Sequence, residues 1–366
     1  MINWWKTNIG HEESDAICSA IDRRRIGQGE ISEAFEKEFA RTLGVQYAVV
    51  TTSGSVALYL ALMAVDVGPG DEVIIPDRTW VATAHAVMLT GAKVVLADVE
   101  KDRPVMDVQC LDALVTDRTK AILAVHLNGR AVHMDSLREF ADNYSLFIIE
   151  DSCQALLSKN GSGYLGTLSD MGCFSLGLTK LISTGQGGFI VTNDINCYEK
   201  LKLLRNHGVV DQFTDTWASF GFNFKFTDIM SAMGMVQLSK IFEQAGACRR
   251  VYDYYLENIS NLRTVKILTV DFDQGELPLY VEAMCEDTAY FVDYMRSNNV
   301  EVRNAPPSIS YQGYVEPTVS VSNSRYFEQH AVYLPSGPGQ ELKDLERVVR
   351  LMEQFETKES NISGQV

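Results

Sequence analysis

The chain has 366 residues, of which 46% are hydrophobic and 22% are charged. This balance is typical of a globular protein and excludes a disordered chain. The 48 acidic residues outnumber the 32 basic ones, which gives a formal net charge of −16. Such a charge argues against nucleic acid or an anionic membrane as a partner, because binding to either needs positive charge. No apolar run approaches the ~20 residues of a membrane span.

The cysteines and histidines give no sign of a structural metal or a disulfide framework. The seven cysteines are scattered and odd in number, with no CxxC pair. The six histidines show no HxxxH or HExxH spacing, so no metal site is predicted. No secretory signal is visible at the N-terminus. Together these observations predict reduced thiols and a cytoplasmic location.

The first two hundred residues alternate between two kinds of segment. Short apolar runs rich in β-branched residues predict buried strands, and the segments between most of them have helical spacing. Such alternation predicts an α/β fold with a large, doubly wound domain and a mostly parallel, seven-stranded sheet. The predicted strands are 47–52, 72–76, 93–98, 120–125, 145–150, 171–176 and 188–192, and the predicted helices are 56–63, 80–89, 107–115 and 135–143.

The pattern changes after Asp194. The sequence predicts a helix over 198–207, a polar and aromatic loop over 208–226, and a long helical stretch over 228–262. We therefore expect a large domain over residues 1–240 and a smaller C-terminal α+β domain over 241–366. In the latter, the predicted strands are 265–270, 278–283 and 300–302, the predicted helices are 289–297 and 342–355, and 357–366 is a polar tail.

A first candidate site lies at 51–58 (TTSGSVAL), where a strand ends and a helix begins. Small residues at this junction let backbone N–H groups approach an anion at the positive end of the helix. Gly54 permits the tight turn, and Ser55 can cap the helix. The segment fits a phosphate cradle, although taken alone it is more typical of an ordinary Ser/Thr helix cap.

A second candidate site lies at 145–155 (SLFIIEDSCQA), where Asp151 sits at the carboxyl edge of a buried strand. Open α/β sheets place their ligands at this edge. A carboxylate there needs a cationic partner, because burying it unpaired is costly. Gln154 follows three residues later and offers a side-chain donor and acceptor. The alternative for Asp151 is a helix N-cap.

A third candidate is Lys180, which lies between two predicted strands in a loop of small and polar residues, five residues after Ser175. A lone lysine is usually a solvated surface charge. In a site of this kind, however, it can lose its proton and act as a nucleophilic amine.

The three sites follow separate strands of one predicted sheet, so they can converge. A phosphate cradle, a carboxylate and a lysine amine are what pyridoxal phosphate needs, since the lysine forms the Schiff base and the carboxylate pairs with the ring nitrogen. Trp80, just past the strand at 72–76, is placed to cover the ring face.

With these motifs in order, the sequence resembles the DegT/DnrJ/EryC1/StrS family of pyridoxal-phosphate-dependent sugar aminotransferases, which have fold type I. The likeness covers nearly the whole chain. The segments that carry it are 27–29 (GQG), 53–58, 68–73 (GPGDEV), 79–83 (TWVAT), 119–122, 150–155, 175–180, 184–188 and 221–228 (GFNFKFTD).

The resemblance implies a role for each matching residue. Lys180 would hold the cofactor and shuttle a proton, Asp151 would bind the ring nitrogen, and Gln154 would bind the ring hydroxyl. Trp80 would stack on the ring. Gly54, Ser55 and Ser175 would hold the phosphate, and Asn223 would reach the phosphate of the neighbouring subunit, which implies a homodimer with shared active sites.

The sequence departs from the family pattern at two positions. Gly177 stands where many members have His, and Lys225 stands where many have Arg. Neither replaces Lys180 or Asp151, but both bear on the acceptor pocket. A related group of dehydratases has His in place of the lysine, and Lys180 argues against that chemistry.

Two other features are given ordinary interpretations. The segment 161–166 matches GxGxxG, but it leads into a predicted strand rather than a helix, so we interpret it as a glycine-rich turn. Trp4 and Trp5 look like exposed aromatics near the N-terminus; we expect them to dock onto the large domain, and stacking on a substrate is the alternative.

The leading hypothesis is an aminotransferase of deoxyamino sugar and polysaccharide biosynthesis, with L-glutamate as donor and a nucleotide-linked keto sugar as acceptor. An alternative keeps the chemistry but takes a small phosphorylated ketone or a keto-cyclitol. A third hypothesis is a regulatory protein that retains the fold without turnover.

Overall fold

The computed structural model of this chain describes residues 1–161, 163–211 and 216–363, and a seven-stranded sheet lies at its centre. The strands are β1 (Tyr47–Thr51), β2 (Glu72–Pro76), β3 (Lys93–Ala97), β4 (Thr119–Val125), β5 (Phe147–Asp151), β6 (Met171–Ser175) and β7 (Gly188–Thr192). Their order is β1-β7-β6-β5-β4-β2-β3. Strand β7 is antiparallel to both of its neighbours, and the other pairs are parallel. The predicted fold class is therefore confirmed.

Helices cover this sheet and precede it. They are α1 (His11–Asp22), α2 (Glu30–Leu43), α3 (Gly54–Ala64), α4 (Ala82–Thr90), α5 (Met134–Tyr144) and α6 (Ile195–Arg205), with 3₁₀ turns at Val108–Ala113 and Leu127–Gly129. The helix predicted at 107–115 is the first of these turns. Helices α1 and α2 were not predicted. Among the described residues, no helix combines the length and the apolar composition that crossing a membrane requires.

The region after α6 differs from the prediction in two ways. The predicted loop contains a hairpin of β8 (Val209–Asp211) and β9 (Thr216–Trp217), and its residues 212–215 lie outside the described residues. The long helical stretch is divided into α7 (Asp228–Ser239) and α8 (Ile241–Ile259). The division falls at Lys240, whose amine pairs with Glu12 at 2.5 Å and Glu13 at 3.1 Å on α1. Contacts distant in sequence thus coincide with the break.

The later part of the chain forms a second sheet. It contains β10 (Val265–Ile267), β11 (Val281–Cys285), β12 (Arg303–Asn304) and β13 (Ala331–Leu334) in the order β10-β11-β13-β12, with helices α9 (Thr288–Ser297), α10 (Ser322–His330) and α11 (Leu342–Ser363). Strand β13 was not predicted. The strand predicted near 300–302 is displaced, because the observed strand β12 begins at Arg303 and Val300 makes an isolated bridge to Ile2. The division of the chain at residue 240 stays a prediction.

The two chain ends also differ from expectation. Helix α11 continues into the predicted polar tail as far as Ser363, and residues 364–366 lie outside the described part. Trp4 and Trp5 are buried, with exposed fractions of 6% and 9%, and they share a core cluster with Phe35 and Phe39. The rings are therefore docked, as expected, and not exposed. The ring of Trp4 packs 5.3 Å from Tyr280 and 6.1 Å from Tyr333. The N-terminal segment therefore contacts the second sheet, at Tyr333 of β13 and at Tyr280 just before β11.

Candidate active site

A cavity of about 540 Å³ opens at the carboxyl edge of the large sheet. Strands β4, β5 and β6 run parallel and end there at Val125, Asp151 and Ser175, all of which line the cavity. Seven of the eight residues singled out in the sequence line it, namely Gly54, Ser55, Trp80, Asp151, Gln154, Ser175 and Lys180. Asn223 does not line this cavity.

The N-terminus of α3 forms one wall. The helix cap is Ser53 and not Ser55, which the sequence suggested, because the side-chain oxygen of Ser53 accepts a hydrogen bond from Val56 N at 3.2 Å. A Cβ atom at Gly54 would lie 2.8 Å from Cys153 Sγ and 2.9 Å from Ser175 Cβ, so this position has no room for a side chain. Ser175 Oγ accepts a hydrogen bond from Gly177 N at 3.2 Å, which leaves its hydroxyl proton to donate. A helix N-terminus with a neighbouring hydroxyl suits an anion.

Asp151, the last residue of β5, presents a buried carboxylate with an exposed fraction of 6%. Its Oδ2 accepts a hydrogen bond from Thr83 Oγ1 at 2.9 Å, and its Oδ1 accepts one from Cys153 N at 3.2 Å. Among the described residues, no cationic side chain forms an ion pair with it. A buried carboxylate that forms no ion pair within the described protein is suited to a cationic or N–H group of a ligand.

Lys180 lies in the connection between β6 and β7 and directs its amine into the same cavity. Its Nζ donates a hydrogen bond to the hydroxyl of Tyr280 at 3.4 Å and forms no ion pair with the described residues. Burial by itself lowers the pKa of the Lys180 amine, but the electrostatic influence of Tyr280, Cys153 and Asp151 outweighs it, so the pKa lies above its ordinary value. This direction is opposite to the sequence-based expectation that such a site favours loss of the lysine proton.

Gln154 and Trp80 complete the predicted set. Gln154 Oε1 accepts a hydrogen bond from Asn128 N at 3.0 Å, which leaves the amide NH₂ group as a donor toward the cavity. Trp80 follows β2 and is 56% exposed, although it forms part of the cavity wall. A large aromatic ring on an open wall is able to cover a flat ligand.

Asn223 lies on the surface, where its backbone forms an isolated bridge to Asn206. It lies beside an aromatic groove of about 720 Å³, which we define by Tyr59, Trp80, Phe220, Phe222 and Phe224. Phe220 and Phe222 are more than half exposed. The groove and the cavity share Ser55, Trp80 and Ala82, so the two openings are contiguous.

The structure adds cavity residues that the sequence reasoning missed, chiefly Thr83, Tyr280 and Arg303. Thr83 was within reach of a prediction, because it lies three residues after Trp80 and therefore one helical turn away. Tyr280 and Arg303 come from the second sheet region, about a hundred residues after Lys180, and no local signal connects them to the site. In the described ranges, no cluster of three or more His, Cys, Asp or Glu residues forms a metal site.

Comparison with known proteins identifies the family. A model of the DegT/DnrJ/EryC1/StrS aminotransferase family matches residues 7–353, which is most of the chain. The chain belongs to the DegT/DnrJ/EryC1/StrS aminotransferase family. The resemblance found in the sequence is thereby confirmed, and so is the prediction of an aminotransferase.

Relatives within this aminotransferase family support the assignment. A GDP-perosamine synthase of Caulobacter vibrioides is 38% identical over 251 residues, which is 68% of each chain. A dTDP-3-amino-3,4,6-trideoxy-alpha-D-glucose transaminase of Streptomyces venezuelae is 30% identical over 344 residues, covering 92% of this chain and 90% of the relative. The crystal structure of DesV from S. venezuelae superposes with a TM-score of 0.88 at 29% identity, over 94% of both chains.

We predict that Gly54→Ala lowers the free energy of unfolding by about 1 to 3 kcal/mol, because the added methyl overpacks the contact with Cys153 and Ser175. Chemical denaturation of the two proteins measures the difference. The matched control is Gly68→Ala, since no atom lies within 4 Å of a Cβ there. Equal stability of the two variants would show that α3 does not approach Cys153 as closely as described.

Proposed function

We propose that this family member uses pyridoxal phosphate to move an amino group from L-glutamate to the keto group of a nucleotide-linked deoxy sugar. The observation that carries the proposal is the meeting of three groups in one cavity: the amine of Lys180, the buried carboxylate of Asp151 and the N-terminus of α3. Each is the partner that one part of the cofactor requires.

The fit to pyridoxal phosphate is supported at both ends of the cavity. At one end, the missing side chain of Gly54 and the hydroxyl of Ser175 leave room and a donor for a phosphate. At the other, the Asp151 carboxylate has no ion-pair partner among the described residues, so it is free to accept a hydrogen bond from the ring nitrogen. The amine of Lys180, without an ion pair in the described part, is free for a Schiff base.

When bound, pyridoxal phosphate supplies an electron-withdrawing ring that stabilises negative charge on the carbon next to the amino group. Asp151 would hold the ring nitrogen protonated, which maintains this withdrawal. Gln154 would donate to the ring hydroxyl, and Trp80 would cover the ring face. Lys180 Nζ would take the proton from the Cα atom of the donor and deliver it to the C4′ atom of the cofactor, which is general acid–base work by one positioned amine.

The nature of the acceptor rests on the relatives, two of which are named for nucleotide-linked amino sugars. This supports a place in the biosynthesis of deoxyamino sugars and the polysaccharides that contain them. The cavity offers space beyond the cofactor's size, and the small Gly177 in its wall enlarges it. A smaller keto acceptor, such as a phosphorylated ketone or a keto-cyclitol, is the alternative.

We also propose a homodimer in which Asn223 serves the partner's active site. Asn223 is exposed and lies outside the cavity of its own chain, and the exposed aromatic rings of the groove beside it suit burial by a second copy.

A cytoplasmic location remains part of the proposal. Six cysteines of the described chain are free thiols, which suits a reducing compartment; they are Cys18, Cys110, Cys153, Cys173, Cys197 and Cys248.

The first test is the absorption spectrum of the protein with pyridoxal phosphate, before and after L-glutamate is added. We predict a cofactor band that glutamate converts, and we predict that Lys180→Ala abolishes the conversion because the amine that moves the proton is gone. Lys159→Ala is the control, since this lysine instead packs over Tyr164 at 4.6 Å. Conversion by Lys180→Ala at the rate of the unaltered protein would contradict the proposal.

The same preparation distinguishes the alternatives. Amination of nucleotide-linked keto sugars supports the proposed acceptor, whereas amination restricted to a keto-cyclitol or a phosphorylated ketone supports the alternative. A cofactor band that glutamate and other amino donors leave unchanged would favour the regulatory hypothesis.

Subunit mixing tests the shared site. We predict that Lys180→Ala and Asn223→Ala homodimers each have low activity, and that refolding them together restores activity. In a mixed dimer, the subunit that keeps Lys180 receives Asn223 from its partner, so one site is intact. If Asn223 serves its own chain, no site is intact and mixing restores nothing, which would contradict the shared arrangement.

A further inference from the structure

Lys180 has a neighbour that the roles described above leave unexplained. The hydroxyl of Tyr280 donates a hydrogen bond to the carbonyl oxygen of Thr179 at 3.0 Å. Since its proton is committed there, its oxygen is available to accept from Lys180 Nζ, which lies at 3.4 Å. The hydroxyl thus contacts both the amine of Lys180 and the backbone that carries it.

Tyr280 is itself rigidly held. Its backbone N–H donates to Asn128 Oδ1 at 2.5 Å, and its carbonyl oxygen accepts from Asn128 Nδ2 at 2.8 Å. Its ring packs against Trp4, Trp5 and Tyr333, and only 5% of the residue is exposed. A hydroxyl on so constrained a ring has a defined position relative to Lys180.

Asn128, whose side chain makes both of these hydrogen bonds, also holds Gln154, which lines the cavity. Asn128 is fully buried in the 3₁₀ turn after β4 and adopts a left-handed conformation with φ of 54°. Its N–H donates to Gln154 Oε1, while its side chain holds Tyr280. Asn128 therefore fixes Gln154 and Tyr280 relative to each other, although they belong to distant parts of the chain.

We propose that Tyr280 is a positioning residue for Lys180, and that its hydroxyl oxygen holds the lysine amine in the cavity whenever the amine is not covalently bound. The role rests on the proposed function, because an amine needs such a holder when it is released during each turnover. Lys180 Nζ donates the hydrogen bond, so the contact also favours the protonated amine. Asp151 and Cys153 also act electrostatically on Lys180, and no hydrogen bond joins either to its amine in the described structure. Arg303 and Tyr333 are further titratable groups that line the same cavity.

Loss of the Tyr280 hydroxyl is expected to change two rates in opposite directions, those of the glutamate half-reaction and of cofactor uptake. Loss of a purely structural contact would change both in the same direction. Loss of the hydroxyl leaves the amine less well held, which slows the proton transfer that it performs. Loss of the same hydrogen bond lowers the pKa of the amine, so more of it is neutral at a given pH. A neutral amine combines with an aldehyde, and uptake of pyridoxal phosphate near neutral pH becomes faster.

The test compares Tyr280→Phe with the unaltered protein. We expect the half-reaction with L-glutamate to slow by about tenfold, the magnitude of one lost hydrogen bond to a charged group. We expect the pH midpoint of cofactor uptake to move to lower pH. Tyr255→Phe is the matched control, because its hydroxyl also donates to a backbone carbonyl, that of Pro335 at 3.1 Å, in a buried place outside the cavity. The control is expected to change neither quantity.

A second measurement needs no cofactor. Acylation of Lys180 by acetic anhydride, followed over pH by mass spectrometry of the cofactor-free protein, reports the pKa of the amine directly. A shift to lower pH in Tyr280→Phe supports the proposal. An unshifted pH midpoint of acylation overturns the proposal. Equal slowing of cofactor uptake and of the glutamate half-reaction, without a shift of this midpoint, also overturns it. If the unaltered protein neither takes up pyridoxal phosphate nor reacts with glutamate, the proposed function fails, while acylation still decides the contact between Tyr280 and Lys180.

Discussion

The site depends on one costly feature, the burial of the Asp151 carboxylate without an ion pair among the described residues. Two hydrogen bonds, from Thr83 and from the backbone of Cys153, offset part of the cost of removing this charge from water. A ligand that brings an N–H group or a positive charge to the same place offsets the remaining cost. A buried carboxylate without an ion pair is typical of a binding site. Elsewhere in this chain, a buried carboxylate forms an ion pair within the protein. Arg130 and Glu282, for example, form a fully buried pair at 2.8 Å.

The position of Asp151 follows from the topology of the sheet. Strands β4, β5 and β6 are parallel, so the residues that follow them are delivered to one edge, and the register pairs Val125 with Asp151 and Asp151 with Cys173. Strand β7 then returns antiparallel to β6, and the short connection between them carries Lys180. The N-terminus of α3 reaches the same edge because β1 has the same direction as β6. The Asp151 carboxylate, the Lys180 amine and the N-terminus of α3 thus meet at one edge of the sheet, because each belongs to the end of a strand or to the segment after it.

The sequence predicted this half of the protein well because its signals are local. Each strand of the large sheet is a short, buried apolar run, and its predicted start lies within two residues of the observed one. The misses have physical causes. Strand β13 has only four residues, too few for a pattern, and the break at Lys240 coincides with ion pairs to α1 rather than with a glycine or proline. Helix α2 was overlooked although its buried Phe35, Phe39 and Leu43 recur at helical spacing.

The candidate site was predictable only in part, for a related reason. Lys180, Asp151, Gln154 and Gly54 follow strands of one sheet, so a reader of the sequence can expect them to converge. Tyr280 and Asn128 are 152 residues apart, and nothing local relates them, yet their double hydrogen bond brings the second sheet region against the reactive amine. Contacts of this kind are decided by tertiary packing.

The central claim is that the amine of Lys180 is the group that binds the cofactor. Adding pyridoxal phosphate, reducing the protein with borohydride and mapping the modified peptide by mass spectrometry tests it most directly. The account predicts a pyridoxyl group on Lys180 and on no other lysine at stoichiometric labelling. Labelling of a different lysine, or none, would contradict the assignment of this cavity as the active site.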